Sequence, residues 1–347
     1  MTRIGSIQLD HAVALAPMAG MTDTAFRRLV KRKGGCGLVV TEMVSSEGLV
    51  RGIDRTLEYA EYTEEERPVS IQIFGGDPKV MADAAQVIEG MGADIIDINM
   101  GCPVPKIAKH NAGCSLMREP AHAASVVRAM TNAVRIPVTV KMRAGWNEDD
   151  INAPVLARMV EDAGAAAVAV HGRTAAQSYS GHSDWSLIAR VAQAVNIPVF
   201  GSGDCVEADQ IVQRLMDHGV GGVLVGRGAL RNPWIFAQAS RSVRGQAPIP
   251  ITIEERGRFL LDYIDLLLAE RVREDAGFRH LAPGQTDLGP PAAAKGRQRW
   301  VINKLRALGS WYTKGLIGGS DLRVAINSSE SIDQLRSTVT TFFLGQK

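Results

Sequence analysis

The sequence predicts an α/β fold: a TIM, or (β/α)8, barrel followed by a smaller all-helical C-terminal domain. Eight short apolar segments recur up to Val225. Their mean spacing is roughly 30 residues, the length of one strand–helix–strand unit. Helix-like stretches lie between them. An open doubly wound sheet is the alternative, but eight units and the lack of a Gly-x-Gly-x-x-Gly motif after the first segment favour the barrel.

The apolar segments are rich in Val, Ile and Ala, as expected for strands that are buried on both faces. The predicted strands are Val13–Pro17, Gly37–Thr41, Val69–Phe74, Asp94–Asn99, Val138–Met142, Ala167–His171, Val199–Gly201 and Gly222–Val225. The predicted helices between them are Asp77–Met91, Ala121–Ala133, Ala153–Ala163, Trp185–Val195 and Ala208–His218. Glycines such as Gly164 and Gly219 follow several of these stretches, as is common at helix ends.

The pattern changes after the eighth segment, and we expect a domain boundary near residue 245. The chain then divides into a barrel over residues 1–245 and a helical domain over residues 246–347. Glu254–Arg273 is an amphipathic helical stretch with no strand before it, and residues 276–296 have the Gly, Pro and Ala content of a loop. A basic helical region, Lys295–Lys314, and a last helix, Ser331–Phe343, complete the domain.

Composition narrows the class of protein. The chain has 347 residues and a formal net charge of +2, which indicates no particular partner. Its four cysteines, Cys36, Cys102, Cys114 and Cys205, lack the spacing of a metal site. No convincing secretory signal is present, and no apolar run approaches the roughly 18 residues of a membrane helix. We therefore expect a cytoplasmic enzyme with free thiols, no metal and no membrane contact.

The stretch from Asp94 to Lys106 holds the most informative residues. It begins as a strand and ends at Gly101, since Pro103 and Pro105 prevent either a strand or a helix from continuing. Cys102 is therefore expected on a stiff loop just past the carboxyl end of a strand, with Asn99 beside it. A buried, inert cysteine next to a structural turn is the alternative.

Polar residues also close the other predicted strands, and in a TIM barrel the active site lies at these carboxyl ends. Polar groups buried there are costly unless they meet a ligand or each other. The glycines of the seventh and eighth loops let backbone N–H groups approach a phosphate closely. The candidate cofactor-binding residues are Pro17, Met18, Ala19, Gln72, Lys141, His171, Ser202, Gly203, Asp204, Gly226 and Arg227.

These loops fit sugar-phosphate enzymes as well as flavin enzymes, and Lys141 and Gln72 favour the flavin. A buried cation can neutralise charge near flavin N1, and an amide can bond the polar edge of the ring. A structural salt bridge from Lys141 to Glu42 or Asp97 is the alternative.

Taken together, these stretches resemble the tRNA-dihydrouridine synthases, in particular the bacterial B-type, NifR3-like proteins. The matching stretches cover the barrel from end to end, and the Cys102 stretch is the most specific. They are APMAGMTDTAFR (16–27), IQIFG (71–75), DINMGCPVPKI (97–107), NAGCSLM (111–117), VKMRAGW (140–146), HGRT (171–174), GSGD (201–204) and GRGALRNPWIF (226–236). Ser202 replaces an Asn that is common in the family, and the 280–292 loop is longer than expected.

The resemblance implies an FMN-dependent oxidoreductase that uses NADPH or NADH to reduce the C5–C6 double bond of specific uridines in tRNA. Cys102 would donate the proton to C5, and Asn99 and Arg143 would bind the uracil carbonyl groups. A uridine in folded tRNA must flip out of its stack to reach such a pit. The protein is expected to be a monomer.

Residues 288–320 contain no acidic residue, and basic and aromatic side chains alternate there. Phosphate neutralisation beside an aromatic face is typical of RNA surfaces. We therefore expect this segment to serve tRNA and not the flavin, although a solvated helix face is the alternative. The candidate tRNA-binding residues are Lys295, Arg297, Arg299 and Lys304.

Two other functions remain open from the sequence. One is an FMN-dependent oxidoreductase of a small pyrimidine or enone. The basic domain argues against it, because a small substrate needs no such surface. The other is a non-enzymatic RNA-binding regulator on a barrel scaffold. The presence of Cys102, Lys141 and His171 argues against it, because a regulator needs no catalytic set.

Overall fold

The computed structural model of the chain describes residues 2–108, 111–269 and 294–345, without the side chains of residues 54, 55, 294 and 295. It confirms the predicted closed barrel of eight parallel strands followed by a helical region. The barrel strands lie in the order β4-β3-β11-β10-β9-β8-β7-β6, and pairing between β4 and β6 closes the ring. The strands are β1 (Arg3–Ile4), β2 (Ile7–Gln8), β3 (Val13–Leu15), β4 (Leu38–Val40), β5 (Val44–Ser45), β6 (Val69–Phe74), β7 (Ile95–Met100), β8 (Val138–Arg143), β9 (Ala167–His171), β10 (Val199–Ser202) and β11 (Gly222–Val225).

Helices cover the outside of this barrel and form the C-terminal region. The α-helices of the barrel are α1 (Thr24–Lys33), α2 (Ser46–Val50), α3 (Asp54–Ala60), α4 (Pro78–Gly90), α5 (Pro105–Ala108), α6 (Pro120–Ala133), α7 (Ala153–Asp162), α8 (Trp185–Ala194), α9 (Ala208–Asp217), α10 (Arg227–Arg231) and α11 (Ile235–Val243). The later helices are α12 (Ile253–Leu268), α13 (Ala294–Tyr312), α14 (Gly319–Ser328) and α15 (Ile332–Leu344). Short 3-10 helices occupy Glu64–Glu66 and Gly113–Arg118.

Strand β7 illustrates how the sequence directs side chains. Successive residues of a strand point to opposite faces. Ile96, Ile98 and Met100 belong to the hydrophobic cluster between strands and helices, whereas Ile95 belongs to the separate cluster inside the barrel. By the same alternation Asp97 and Asn99 face the interior, with Asn99 nearest the carboxyl end. The buried Ile-Ile-Asp-Ile-Asn pattern therefore carries polar side chains up the axis of the barrel toward its mouth.

The opposite end of the barrel is filled by an N-terminal hairpin of β1 and β2, which the sequence analysis did not predict. Ile4 and Leu9 pack with Leu38, Ile95 and other residues from the first positions of the strands. Within the described part of the chain, this arrangement covers the amino end of the barrel and leaves the carboxyl end as the side from which a ligand can approach the interior.

Aromatic side chains join the C-terminal helices to the barrel. Phe259 of α12 contacts Phe26 of α1 at a centroid distance of 6.1 Å and stacks on Tyr312 of α13 at 5.7 Å. One hydrophobic cluster contains all three. The division near residue 245 therefore stays a prediction, since the residues on its two sides share a core. The 280–292 loop lies outside the described residues.

Candidate active site

A chain of buried polar side chains runs along the barrel axis. The Nε2 group of Gln72 donates a hydrogen bond to Oδ2 of Asp97 (2.6 Å), and Nδ2 of Asn99 donates to Oε1 of Gln72 (2.8 Å). Oδ1 of Asp97 accepts a bond from the Thr139 hydroxyl (2.6 Å). Because the Asp97 carboxylate accepts hydrogen bonds, Gln72 turns its NH2 group toward Asp97. The amide oxygen of Gln72 then faces Asn99, which turns its own NH2 group toward Gln72. Burial raises the pKa of Asp97, while the bonds from Gln72 and Thr139 lower it.

The orientation of the Asn99 amide also fixes the backbone of the loop that carries Cys102. Its Oδ1 accepts bonds from the backbone N–H groups of Gly101 (3.1 Å) and Cys102 (2.9 Å). The carbonyl of Cys102 accepts the N–H of Cys114 (3.1 Å). Gly113 has a φ of +60°, and a Cβ at this position would lie 2.7 Å from the Cys102 carbonyl oxygen. Only glycine fits there, so the backbone of Cys102 is held from both sides.

The two cysteines of this region have different environments. Cys102 is partly exposed at the barrel mouth, whereas Cys114 is only 1% exposed and belongs to the buried set. Burial also raises the pKa of the Cys114 thiol. Of these two thiols, Cys102 is therefore the one that a bound ligand can reach.

Arg143 supports the same loop from the next strand. Its Nε donates to the carbonyl of Gly101 (2.7 Å), and its Nη1 donates to the carbonyls of Thr174 (3.0 Å) and Ser178 (2.9 Å). The residue is buried. It thus ties the Cys102 loop to the loop after β9, a positioning role that the sequence did not predict. The uracil contact expected of Arg143 stays a prediction.

Lys141 lies beside Asn99 in the register of β7 and β8. Burial lowers the pKa of its amine to about 8, and the nearby positive charge of Arg143 acts in the same direction. Among the described residues no ion pair joins Lys141 to Glu42 or Asp97, so the geometry argues against the structural salt bridge. Lys141 is partly exposed, and the charge of Asp97 raises the pKa of its amine against the larger effect of burial. An amine with no ion pair among the described residues is suited to a ligand that carries or develops negative charge.

His171 closes β9 on the other side of the mouth. Its Nδ1 lies 3.1 Å from the carbonyl oxygen of Ser202. Since a carbonyl only accepts, Nδ1 carries the proton and Nε2 presents a lone pair. That Nε2 is buried and has no hydrogen-bond partner among the described residues. Burial, followed by the charges of Lys141 and Arg143, lowers the pKa of His171 to about 3, so the ring is neutral at physiological pH.

The loop after β10 has an unusual backbone. Gly203 has a φ of +130°, and an added Cβ would lie 2.2 Å from the Ser183 hydroxyl. Asp204 also adopts a positive φ of +54°. Both of its carboxylate oxygens accept bonds from Nη2 of the buried Arg173, at 2.8 and 2.9 Å. A buried arginine therefore holds the turn in a conformation that costs free energy.

The loop after β11 leaves space next to this turn. Helix α10 begins at Arg227, so the N–H groups of Arg227 and Gly228 have no partner inside the helix, whereas the N–H of Ala229 donates to the Gly226 carbonyl (2.9 Å). A Cβ added at Gly226 would find nothing closer than the Met18 sulfur, at 3.5 Å. This glycine therefore faces open room between the first and last strands of the barrel. The Arg227 guanidinium lies 3.8 Å from the Asp204 carboxylate, at the border of the same space.

The predicted residues of the first loop lie at this mouth as well. Pro17 and Met18 are partly exposed and Ala19 is exposed. Glu42, which the sequence suggested only as a partner of Lys141, instead accepts the backbone N–H of Gly20 (2.5 Å). The structure therefore collects the eleven predicted cofactor residues around the open end of the barrel.

The predicted RNA-binding residues have different surroundings. Lys304 is enclosed between the carboxylates of Asp23 and Glu42, which argues against the phosphate contact expected of it. Arg297 donates to the carbonyls of Leu267 (2.7 Å) and Ala269 (3.2 Å). Arg299 is exposed beside Trp300, which fits the prediction. The side chain of Lys295 lies outside the description.

Sequence reasoning missed two residues at the mouth. Tyr179 is 61% exposed, and its ring lies 5.0 Å from the Arg227 guanidinium. Arg173, which anchors Asp204, was quoted within a motif but given no role. An aromatic residue in a polar loop after a barrel strand was the available signal for Tyr179. The signal for Arg173 was weaker, because its partner lies 31 positions away.

Comparison with known proteins identifies the family. A family model described as dihydrouridine synthase (Dus) matches residues 14–299. The chain belongs to the dihydrouridine synthase family. It is 36% identical over 346 residues to a probable tRNA-dihydrouridine synthase of Rickettsia bellii, covering 99% of this chain and 98% of that protein. It is 36% identical to tRNA-dihydrouridine synthase B of Pseudomonas aeruginosa, covering 99% and 96%.

Solved structures agree on the barrel of this dihydrouridine synthase family member. Morphinone reductase aligns with a TM-score of 0.51 at 13% identity, over 71% of this chain and 89% of that one. A 2-naphthoyl-CoA reductase aligns with a TM-score of 0.54 at 11% identity, over 70% and 51%. At such identities the likeness concerns the fold alone. Within the described part of the chain, no helix is long and apolar enough to cross a bilayer, and no group of three or more His, Cys, Asp or Glu could hold a metal ion.

Proposed function

We propose that this protein is an FMN-dependent tRNA-dihydrouridine synthase that reduces the C5–C6 double bond of uridines in tRNA, with NADPH or NADH as reductant. The observation that carries the proposal is the arrangement at the barrel mouth. A partly exposed Cys102 thiol, a Lys141 amine with no ion pair among the described residues and a His171 nitrogen with no hydrogen-bond partner among them lie toward the carboxyl ends of β7, β8 and β9. These groups suit the reduction of a uracil ring, and the family membership supports tRNA as the substrate class.

The residues at the barrel mouth support FMN binding independently of the family membership. The lone pair on His171 Nε2 suits a donor such as a ribityl hydroxyl group. The Lys141 amine suits the pyrimidine edge of the flavin, where charge develops on reduction. The glycine turn at Gly203 and the room at Gly226 suit the phosphate, with the first turn of α10 supplying N–H groups. FMN would supply a hydride to uracil C6, which the side chains of this chain cannot do.

The remaining step belongs to the protein itself. Cys102 would donate its thiol proton to C5. A thiol is one of the side-chain groups that can act as a general acid. The Cys102 N–H donates to Oδ1 of Asn99 and the Cys102 carbonyl accepts the N–H of Cys114, so the backbone that carries the thiol is held at one place in the mouth. Such fixed placement is what makes a proton donor effective.

The proposed tRNA surface is the exposed side of α13. Arg299 and Trp300 are exposed there, and Lys314, just past the end of the helix, lies 4.0 Å from the ring centroid of Trp311 in its last turn. Exposed cations beside aromatic faces can neutralise phosphates and stack on bases. This surface favours tRNA over a small pyrimidine or enone, for which it has no use. Residence in the cytoplasm, where tRNA is found, is part of the same proposal.

The function is tested with purified protein, FMN, NADPH and an unmodified tRNA transcript. Dihydrouridine is measured by mass spectrometry of the digested tRNA, and free uridine and uracil serve as parallel substrates. We expect dihydrouridine only in the tRNA. Reduction of the free pyrimidines with none in tRNA would favour the small-molecule oxidoreductase instead. Tight tRNA binding without flavin or turnover would favour the regulator.

A further inference from the structure

Lys304 of α13 reaches the rim of the barrel and is enclosed there. Its Nζ lies 2.7 Å from the carbonyl oxygen of Gly20, 3.0 Å from Oδ2 of Asp23 and 3.2 Å from Oε1 of Glu42. Its side chain is only 11% exposed. We refer to Lys304, Asp23, Glu42 and the Gly20 carbonyl as the Lys304 cluster.

The cluster holds the turn that follows the first barrel strand. Glu42 uses its second oxygen, Oε2, to accept the Gly20 N–H, so it contacts the ammonium group and the turn together. Asp23 uses Oδ1 to cap α1 at Phe26 N and Oδ2 to accept the hydroxyl of Tyr263 in α12 (2.8 Å). Two helices of the C-terminal region therefore fasten the turn Gly20–Asp23 directly.

This turn continues directly from Met18 and Ala19. The Met18 sulfur lies beside Gly226, which places Met18 at the mouth where we propose that FMN binds. The backbone of the turn is tight, because Met21 and Thr22 both donate to the Met18 carbonyl (3.0 and 3.1 Å). A displacement at Gly20 or Asp23 therefore moves Met18.

Charge balance makes Lys304 hard to replace. Burial by itself lowers the pKa of its amine, but Asp23 and Glu42 raise it above the ordinary value. The ammonium group thus stays charged, and it faces two carboxylates. Without it, two nearby negative charges would be left with one cation fewer and would repel each other.

We propose that Lys304 is a positioning residue through which the C-terminal helices hold the flavin loop Pro17–Asp23 in its binding conformation. The inference rests on the proposed flavin site and differs from the sequence expectation, in which this segment serves tRNA alone. A lysine that serves an RNA phosphate would be solvated in the free protein, whereas this one is enclosed by protein acceptors.

The test compares Lys304→Met with Arg299→Met, which removes an exposed cation from the same helix. The FMN dissociation constant is measured by flavin fluorescence without tRNA or NADPH, and the salt dependence of tRNA binding is measured separately. For Lys304→Met we expect the FMN constant to rise about tenfold and the salt slope to stay at the wild-type value. For Arg299→Met we expect a salt slope reduced by about one released counterion and an unchanged FMN constant.

A second variant covers the case in which Lys304→Met fails to fold. Glu42→Gln combined with Lys304→Met removes one of the two unbalanced charges and keeps an acceptor for the Gly20 N–H. We expect this double variant to fold, by circular dichroism, and to bind FMN weakly. Folded variants that bind FMN as tightly as the wild type would overturn the inference. If the wild type itself binds no FMN, the proposed function fails instead.

Discussion

Lys141 gives the proposed flavin site a pH dependence that can be calculated. Burial lowers the pKa of its amine to about 8, so the free protein loses this positive charge above that pH. If FMN places negative charge beside the amine, the bound state restores the proton. Binding above pH 8 then requires uptake of one proton, and the affinity for FMN falls as pH rises.

The magnitude follows from single-site linkage. With a pKa near 8 in the free protein and well above it in the complex, the dissociation constant of FMN rises about tenfold between pH 7 and pH 9. It rises about another tenfold by pH 10, before saturation. Burial raises the pKa values of the Cys36 and Cys205 thiols to about 11 and about 12, so these groups lie outside this window.

The assay is an FMN titration at constant ionic strength across this pH range, on the wild type and on Lys141→Gln. The variant keeps a polar side chain of similar length and has no proton to gain. We expect its binding to be weak at neutral pH and to vary little with pH. Titration of FMN itself is common to both proteins and cancels in the comparison. An equal pH slope in both would refute the assignment of Lys141 to the flavin.

Further predictions concern the groups around Lys141. His171→Phe should weaken FMN binding about tenfold, because it removes the acceptor Nε2. The FMN affinity of the wild type should show no step near pH 6.5, since the pKa of His171 is about 3, and such a step would argue against a neutral ring. Asp97→Asn should slow dihydrouridine formation more than FMN binding, because an amide at this position no longer forces the orientations of Gln72 and Asn99; equal loss of both would point to a general packing defect. Arg143→Lys should slow turnover by about 10-fold or more without changing the salt dependence of tRNA binding, because one ammonium group cannot reach the carbonyls of Gly101 and Ser178 together. A reduced salt slope would instead indicate that Arg143 contacts a phosphate.

The barrel could be predicted because the sequence patterns that indicate its strands and helices are local and repeated. Each strand is a short apolar run, each intervening helix has its own periodicity, and eight repeats leave few architectures open. The set of residues at the mouth followed from the same reasoning, because the carboxyl ends of parallel strands meet at one end of a barrel. Thus Asn99, Lys141 and His171 could be grouped before any coordinates were known.

Partners that are distant in sequence could not be predicted in the same way. Lys304 is 262 positions from Glu42, and nothing in its own segment distinguishes it from the exposed Arg299. Arg143 fits a uracil contact by residue type, yet its guanidinium is engaged with backbone carbonyls. Helix α14 was missed because it begins at Gly319, directly after Gly318 with a φ of +71°, and paired glycines predict a turn. For Lys304 and Arg143, long-range packing decides the outcome.

The most direct test of the account is dihydrouridine formation by Cys102→Ala, measured beside Cys114→Ala. Cys102→Ala should retain FMN, which NADPH should still reduce, while turnover on tRNA falls by a factor of about 10²–10⁴, the usual contribution of one positioned proton donor. Cys114 is buried, so Cys114→Ala should lose stability and keep most of its turnover once folded. The measured quantity must be dihydrouridine in tRNA, because NADPH consumption also reports reoxidation by oxygen. Near-normal dihydrouridine formation by Cys102→Ala would contradict the proposed proton donor.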